Sequence, residues 1–185
     1  RVLFRSQAPA LPVLVQGQTQ MAMTIWTDWL SGQGETTAAA TAMPLRDRPL
    51  SGGTMPLPGP VGEENLYKLT ARGNVLCIAT GKAALYDQIS LVLAGGNTAL
   101  VLGNAVPRTW YATLPAVVQA RVRPVDSATD EPCAVILSEK DDTAFATARQ
   151  ALSVGDHPII SAWLTGGGLP GAECVLEEQS VSINT

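Results

Sequence analysis

Histidines, paired cysteines, basic runs and long apolar stretches are scarce or missing from this 185-residue sequence. His157 is the single histidine, and it precedes Pro158 at the mouth of an expected strand, a place for a turn residue rather than a catalytic base. A histidine-rich zinc site is therefore excluded. Cys77, Cys133 and Cys174 lie far apart without a Cys-x-x-Cys spacing, which fits buried thiols in a reducing compartment. Lys and Arg total 12 against 16 Asp and Glu, so a net charge of -4 leaves no electrostatic footprint for DNA or RNA. No apolar run is long enough to span a bilayer. With 46% apolar and only 15% charged residues, the chain is neither a disordered tail nor a coiled coil. So little charge hints at surface covered by a protein partner.

What is present reads as alternating strands and helices. Residues 21–30 form a short amphipathic helix with Ile25, Trp26 and Trp29 on one side, ended by Gly32 and Gly34. Residues 35–43 predict a second short helix. Residues 44–62 are rich in Pro, Gly and Ser and are expected to be an exposed connecting arm. Buried strands are expected at 74–79, 98–102 and 134–137, with a short one at 122–125 and a further strand at 159–163. The stripe Leu85, Ile89, Val92 and Leu93 predicts a helix over 82–94, stopped by Gly95 and Gly96. A helix over 107–120 is expected, bent or weakened at Pro115. Asp141 and Asp142 suit a helix N-terminus, with Phe145, Ala148 and Leu152 following on one face. This order predicts an α/β fold: a Rossmann-like three-layer domain around a parallel sheet.

Residues 179–185 alternate small polar with β-branched apolar residues, the pattern of a strand with one buried face. No turn or polar tail follows, so the chain is expected to be cut from something larger. Its serines suit a two-sided flap, or pairing with another chain's edge, better than a parallel core.

Catalytic machinery is not visible. A dinucleotide site needs a glycine-rich turn after the first strand and an acid near the end of the second. Here the first turn is Ala79-Thr80-Gly81-Lys82, and the second strand ends in Leu102-Gly103-Asn104-Ala105. Lys82 could touch a phosphate, and a degenerate nucleotide- or metabolite-binding module at Gly81 and Lys82 stays open as the alternative function. Glu177 and Glu178 form an acid pair without an accompanying base.

Three segments carry a family resemblance. They are Leu57-Pro58-Gly59-Pro60-Val61-Gly62-Glu63-Glu64-Asn65, then Arg72-Gly73-Asn74-Val75-Leu76-Cys77, and the closing Glu178-Gln179-Ser180-Val181-Ser182-Ile183-Asn184-Thr185. From about residue 21 to the end, the chain resembles the C-terminal domain of the long, bifunctional proline utilization A (PutA) proteins. Those proteins join a flavin-dependent proline dehydrogenase to an NAD-dependent glutamate-semialdehyde dehydrogenase through an internal channel. The resemblance implies a domain shaped like the NAD-binding domain of aldehyde dehydrogenases, with a β-flap, that does not itself catalyse. It implies no cofactor in this domain, with FAD and NAD in a cytoplasmic parent enzyme. The implied partner is the aldehyde dehydrogenase domain of the same polypeptide, and a homodimer of the full-length protein stays open. Where aldehyde dehydrogenases carry a lysine, a proline and then an acid, this chain has Leu102, Gly103 and Ala105; where they place a Trp-Asn pair, it has Thr80 and Gly81.

The expected organisation is an unassigned segment at 1–20, a helical lead-in and flexible arm at 21–56, and a Rossmann-like domain with a truncated terminal flap strand at 57–185. Interface candidates are Leu57, Pro58, Gly59, Pro60, Gly62, Glu63 and Asn65 in the arm motif. Glu178, Ser180, Ser182 and Asn184 are their counterparts in the terminal strand.

Overall fold

The computed structural model describes residues 16–48, 51, 54–154 and 159–184. His157, most of the segment 1–20 and Thr185 lie outside the described residues. The chain starts with a helical pair, α1 (Gln16–Gly32) and α2 (Thr36–Asp47). Gly34, at φ +76, makes the turn between them, a left-handed conformation that a side chain would strain. Ala22, Met23, Trp26 and Leu30 recur at helical spacing and are buried. Ala38, Ala39 and Ala42 are small enough to let α2 lie close against its neighbours.

Two sheets follow. The arm folds into β1 (Thr54–Leu57) and β2 (Glu63–Ala71). The central region then alternates β3 (Asn74–Ile78), α3 (Lys82–Ala94), β4 (Thr98–Leu102), a one-turn α4 (Ala116–Gln119), β5 (Val122–Val125), β6 (Val135–Ser138), α5 (Thr143–Ser153) and β7 (Ser161–Leu164). These five strands pair in parallel in the order β5-β4-β3-β6-β7. The last strand, β8 (Leu176–Asn184), leaves this sheet and pairs antiparallel with β2, giving a three-stranded flap in the order β1-β2-β8.

The parallel sheet divides the apolar residues by strand alternation. Val75, Cys77, Ala99, Val101, Val135 and Leu137 join the larger core, which also takes in α1, α2 and α3. Leu76, Ile78, Leu100 and Ile136 face the other way, onto Phe145, Ala148 and Leu152 of α5. Asp142 caps α5 by accepting from the Phe145 amide at 3.1 Å. The result is an α/β fold with a parallel sheet covered on both faces and a separate antiparallel flap.

Four expectations need correction. The segment 44–62 is not a plain arm: α2 runs through Pro44 to Asp47, and β1 forms at Thr54–Leu57. The helix over 107–120 is instead a 3-10 segment (Arg108–Thr113) and the single turn of α4. Leu114, in front of Pro115, is extended (ψ 143), as ring sterics demand of a pre-proline residue. The strand expected at 159–163 occupies Ser161–Leu164. Finally, β8 shows no buried face over residues 177–183, all of which are exposed.

Candidate functional site

The two terminal motifs of the resemblance meet in the flap. Leu57 closes β1 opposite Asn65 of β2, and Asn65 in turn faces Ser182 of β8. The Ser182 hydroxyl donates to Asn65 Oδ1 across the strands. In the same ladder Glu63 pairs with Asn184, Tyr67 with Ser180 and Leu69 with Glu178. Pro58, Gly59 and Pro60 carry the connection from β1 into β2, where Glu63 N donates to Pro60 O at 3.1 Å. Gly62 takes φ +91, and a Cβ on Gly59 would press on the Asn65 amide and lie 3.3 Å from Glu63 O. The 11 candidates thus occupy one structure, fixed by backbone pairing and turn geometry.

A polar joint fastens the flap to the body. Arg72 Nε donates to Leu176 O at 2.7 Å, and Nη1 donates to Ser161 Oγ at 3.3 Å. Asn97 donates from Nδ2 to Val175 O (2.9 Å) and accepts from Gly73 N at Oδ1 (2.8 Å). Gly95 must be glycine here, since a Cβ would come within 2.6 Å of Asn97 Nδ2 and 2.9 Å of Val175 Cγ2. Beside this joint a cleft of about 720 Å³ opens between flap and body, lined by Arg48, Tyr67, Arg72, Trp163 and Glu178 among others. A hydrogen bond to Glu178 raises the Tyr67 pKa.

The turn at Gly81 and Lys82 is occupied from within. Lys82 Nζ pairs with Glu35 at the start of α2 and lies 5.7 Å from the centre of the Tyr86 ring. Glu139, at the end of β6, spans the gap to Thr80 and Gly81. Hydrogen bonds from Thr80 hold its carboxyl below the usual carboxylate range. Sequence reasoning missed Glu139, because an acid after a strand looks like ordinary surface until topology places it beside the first turn.

The three cysteines are buried. Burial pushes Cys133 up to about 11 and Cys174 up to about 12, and Cys77 is raised most strongly of all. Thiols held that high carry little thiolate at neutral pH. Among the described residues, no group of three His, Cys, Asp or Glu side chains is placed to hold a metal ion. Among the same residues, no helix is long and apolar enough to cross a membrane.

A further element missed from sequence is the extent of the aromatic cluster. Trp26 stacks on Trp29 with centroids 5.3 Å apart, and Tyr86 stacks on Trp110 at 5.8 Å. Trp26 Nε1 donates to Ser90 Oγ at 2.9 Å, and Trp110 Nε1 to Tyr86 Oη at 3.1 Å. These contacts join α1 to the helical layer of the body.

No family model matches the chain. The Bifunctional protein PutA of Rhizobium meliloti is 31% identical over 186 residues, an alignment covering 96% of this chain. The chain spans about 15% of the length of that protein. In three dimensions it matches a mutant of Bradyrhizobium japonicum proline utilization A (PutA) with a TM-score of 0.63 and 17% identity, covering 80% of this chain and 20% of the other. It also matches a substrate-bound Staphylococcus aureus AldH with a TM-score of 0.59 and 11% identity, covering 80% of this chain and 41% of that one. At these identities the structural matches speak for the fold, which resembles the Rossmann-like NAD-binding fold of aldehyde dehydrogenases. Together with the sequence alignment they identify this chain as a domain related to the bifunctional PutA protein family.

Proposed function

We propose that this chain is a non-catalytic structural domain of a bifunctional proline-catabolic enzyme in the cytoplasm. In this reading it covers the aldehyde dehydrogenase domain of the same polypeptide and helps to seal the channel between the two active sites. FAD and NAD then belong to the parent enzyme. Such a cover retains a reactive intermediate and excludes bulk water from the catalytic neighbour. Fold and function separate readily, so a Rossmann-like body can serve as a rigid support.

The observation that carries this reading is the exposed flap. Val181 and Ile183 retain 40% and 43% of their surface on one face of β8, while Met55, in line with Tyr67 and Ser180, retains 54% on the other face of the flap. Apolar residues arrayed on a paired strand suit a protein partner more than solvent.

The test is made in the full-length protein, with Val181 and Ile183 both replaced by aspartate. Coupled conversion of proline to glutamate should fall while each half-reaction, assayed with its own substrate, is retained. Unchanged coupled kinetics and unchanged assembly would sink the covering role.

A further inference from the structure

In a doubly wound sheet, ligands bind outside the carboxyl ends of the strands, where the strand order reverses. Here the reversal falls between β3 and β6, because β4 and β5 extend the sheet one way and β6 and β7 the other. The turn after β3 opens α3, whose first amides lack helical partners and are natural donors to an anion.

The amides of the turn itself, on Thr80 and Gly81, are already taken. Glu139 Oε2 accepts from Thr80 N at 2.7 Å, from Thr80 Oγ1 at 2.7 Å and from Gly81 N at 3.3 Å. Lys140 Nζ donates to Thr80 Oγ1 at 3.2 Å and stands 3.8 Å from Glu139 Oε1. Lys82, the other nearby cation, is engaged by Glu35. The Glu139 loop is also held from behind, since a Cβ on Gly166 would collide with the Glu139 carbonyl.

The interior at these strand ends is polar as well. Gln88 is fully buried; its Nε2 donates to Ile78 O at 3.1 Å, at the end of β3, and to Thr165 Oγ1 at 3.0 Å. Its Oε1 is a buried acceptor without a hydrogen-bond partner. Thr165 continues the network to Ser138 O, at the end of β6. The ends of β3 and β6 thus enclose a buried polar network, and the Glu139 carboxylate spans the turn beside it.

We propose that Glu139 is an internal anion that closes the switch-point crevice to phosphate-bearing ligands. An incoming phosphate would meet a like charge and find the turn amides spent, so the body keeps a dinucleotide-binding architecture without access for the dinucleotide. This closure is independent of the covering role, and a failed coupled-flux assay leaves it untouched.

The experiment compares thermal unfolding of this chain with that of Glu139→Gln and Glu139→Ala, each with and without millimolar inorganic pyrophosphate. Loss of the charge-assisted bonds should lower the melting temperature of both variants by about 3–6 °C. Pyrophosphate should then raise the melting temperature of the variants and leave that of the parent chain unchanged. The near-isosteric glutamine keeps the test available if the alanine variant fails to fold. Equal stabilisation of parent and variants by pyrophosphate would overturn the proposal. So would variants that lose stability yet stay blind to pyrophosphate, since the carboxylate would then be only a loop fastener.

Discussion

All five residues of β3 are buried, whereas residues 177–183 of β8 are all exposed, although each strand is paired along its length. The parallel sheet is held by what lies above and below it, with α1–α3 on one face and α5 on the other. The flap has its ladder, its turn and its joint at Arg72 and Asn97, with little packed on its outer half. A three-stranded sheet needs a hydrophobic face or a helix packed against it to stand alone in water. Side-chain burial therefore secures one sheet, while backbone pairing and a polar root secure the other.

The contrast can be broken most sharply at Leu76, fully buried in the core facing α5. Leu76→Ala should cost about 2–5 kcal/mol of unfolding free energy in urea titration; a cost near zero would deny that this face is a packed core. A smaller effect is expected at the joint. Arg72→Ala removes two hydrogen bonds and should cost about 1–3 kcal/mol. Amide exchange should then accelerate in β2 and β8 well beyond any change in β3 and β4, and uniform acceleration would show that flap and body open together.

The acid limb gives a third, weaker contrast. Glu139 titrates below its unfolded value of about 4.3, so its contribution is complete above that pH and is lost as pH falls through the folded value. Melting temperatures followed down to about pH 3 should therefore drop more steeply in the parent chain than in Glu139→Gln; parallel curves would contradict the coupling. The smallest effect belongs to the flap tip. Val181→Ala should change the stability of this chain by no more than about 0.5 kcal/mol, and a core-sized loss would mean that the flap face is packed after all.

The same division explains what the sequence made legible. β3, β4 and β6 are short apolar runs bounded by turns, because burial on both faces demands such runs. β2, with the sequence EENLYKLTA, offers no such run, and its strand character comes from being paired on both sides in the flap. The period-two pattern of β8 correctly signalled a strand, but in this chain it marks no buried face. Pro44 resembles a helix stop, yet packing of Ala38, Ala39 and Ala42 carries α2 past it. Of the candidate site, the two motifs were visible as ordered strings of residues. Their meeting through Asn65 and Ser182, and the reach of Glu139 to Thr80, required the topology.

The tryptophans divide along the same line. Trp26, Trp29 and Trp110 share the aromatic cluster between α1 and the body, while Trp163 stands 40% exposed beside the flap cleft. The molecule therefore carries two optical reporters of different environment. Emission from the cluster follows the docking of the lead-in helix, and emission from Trp163 follows whatever enters the cleft beside the flap. With Trp163 as the only remaining indole, occupation of that cleft becomes a spectral shift readable without any assay of turnover.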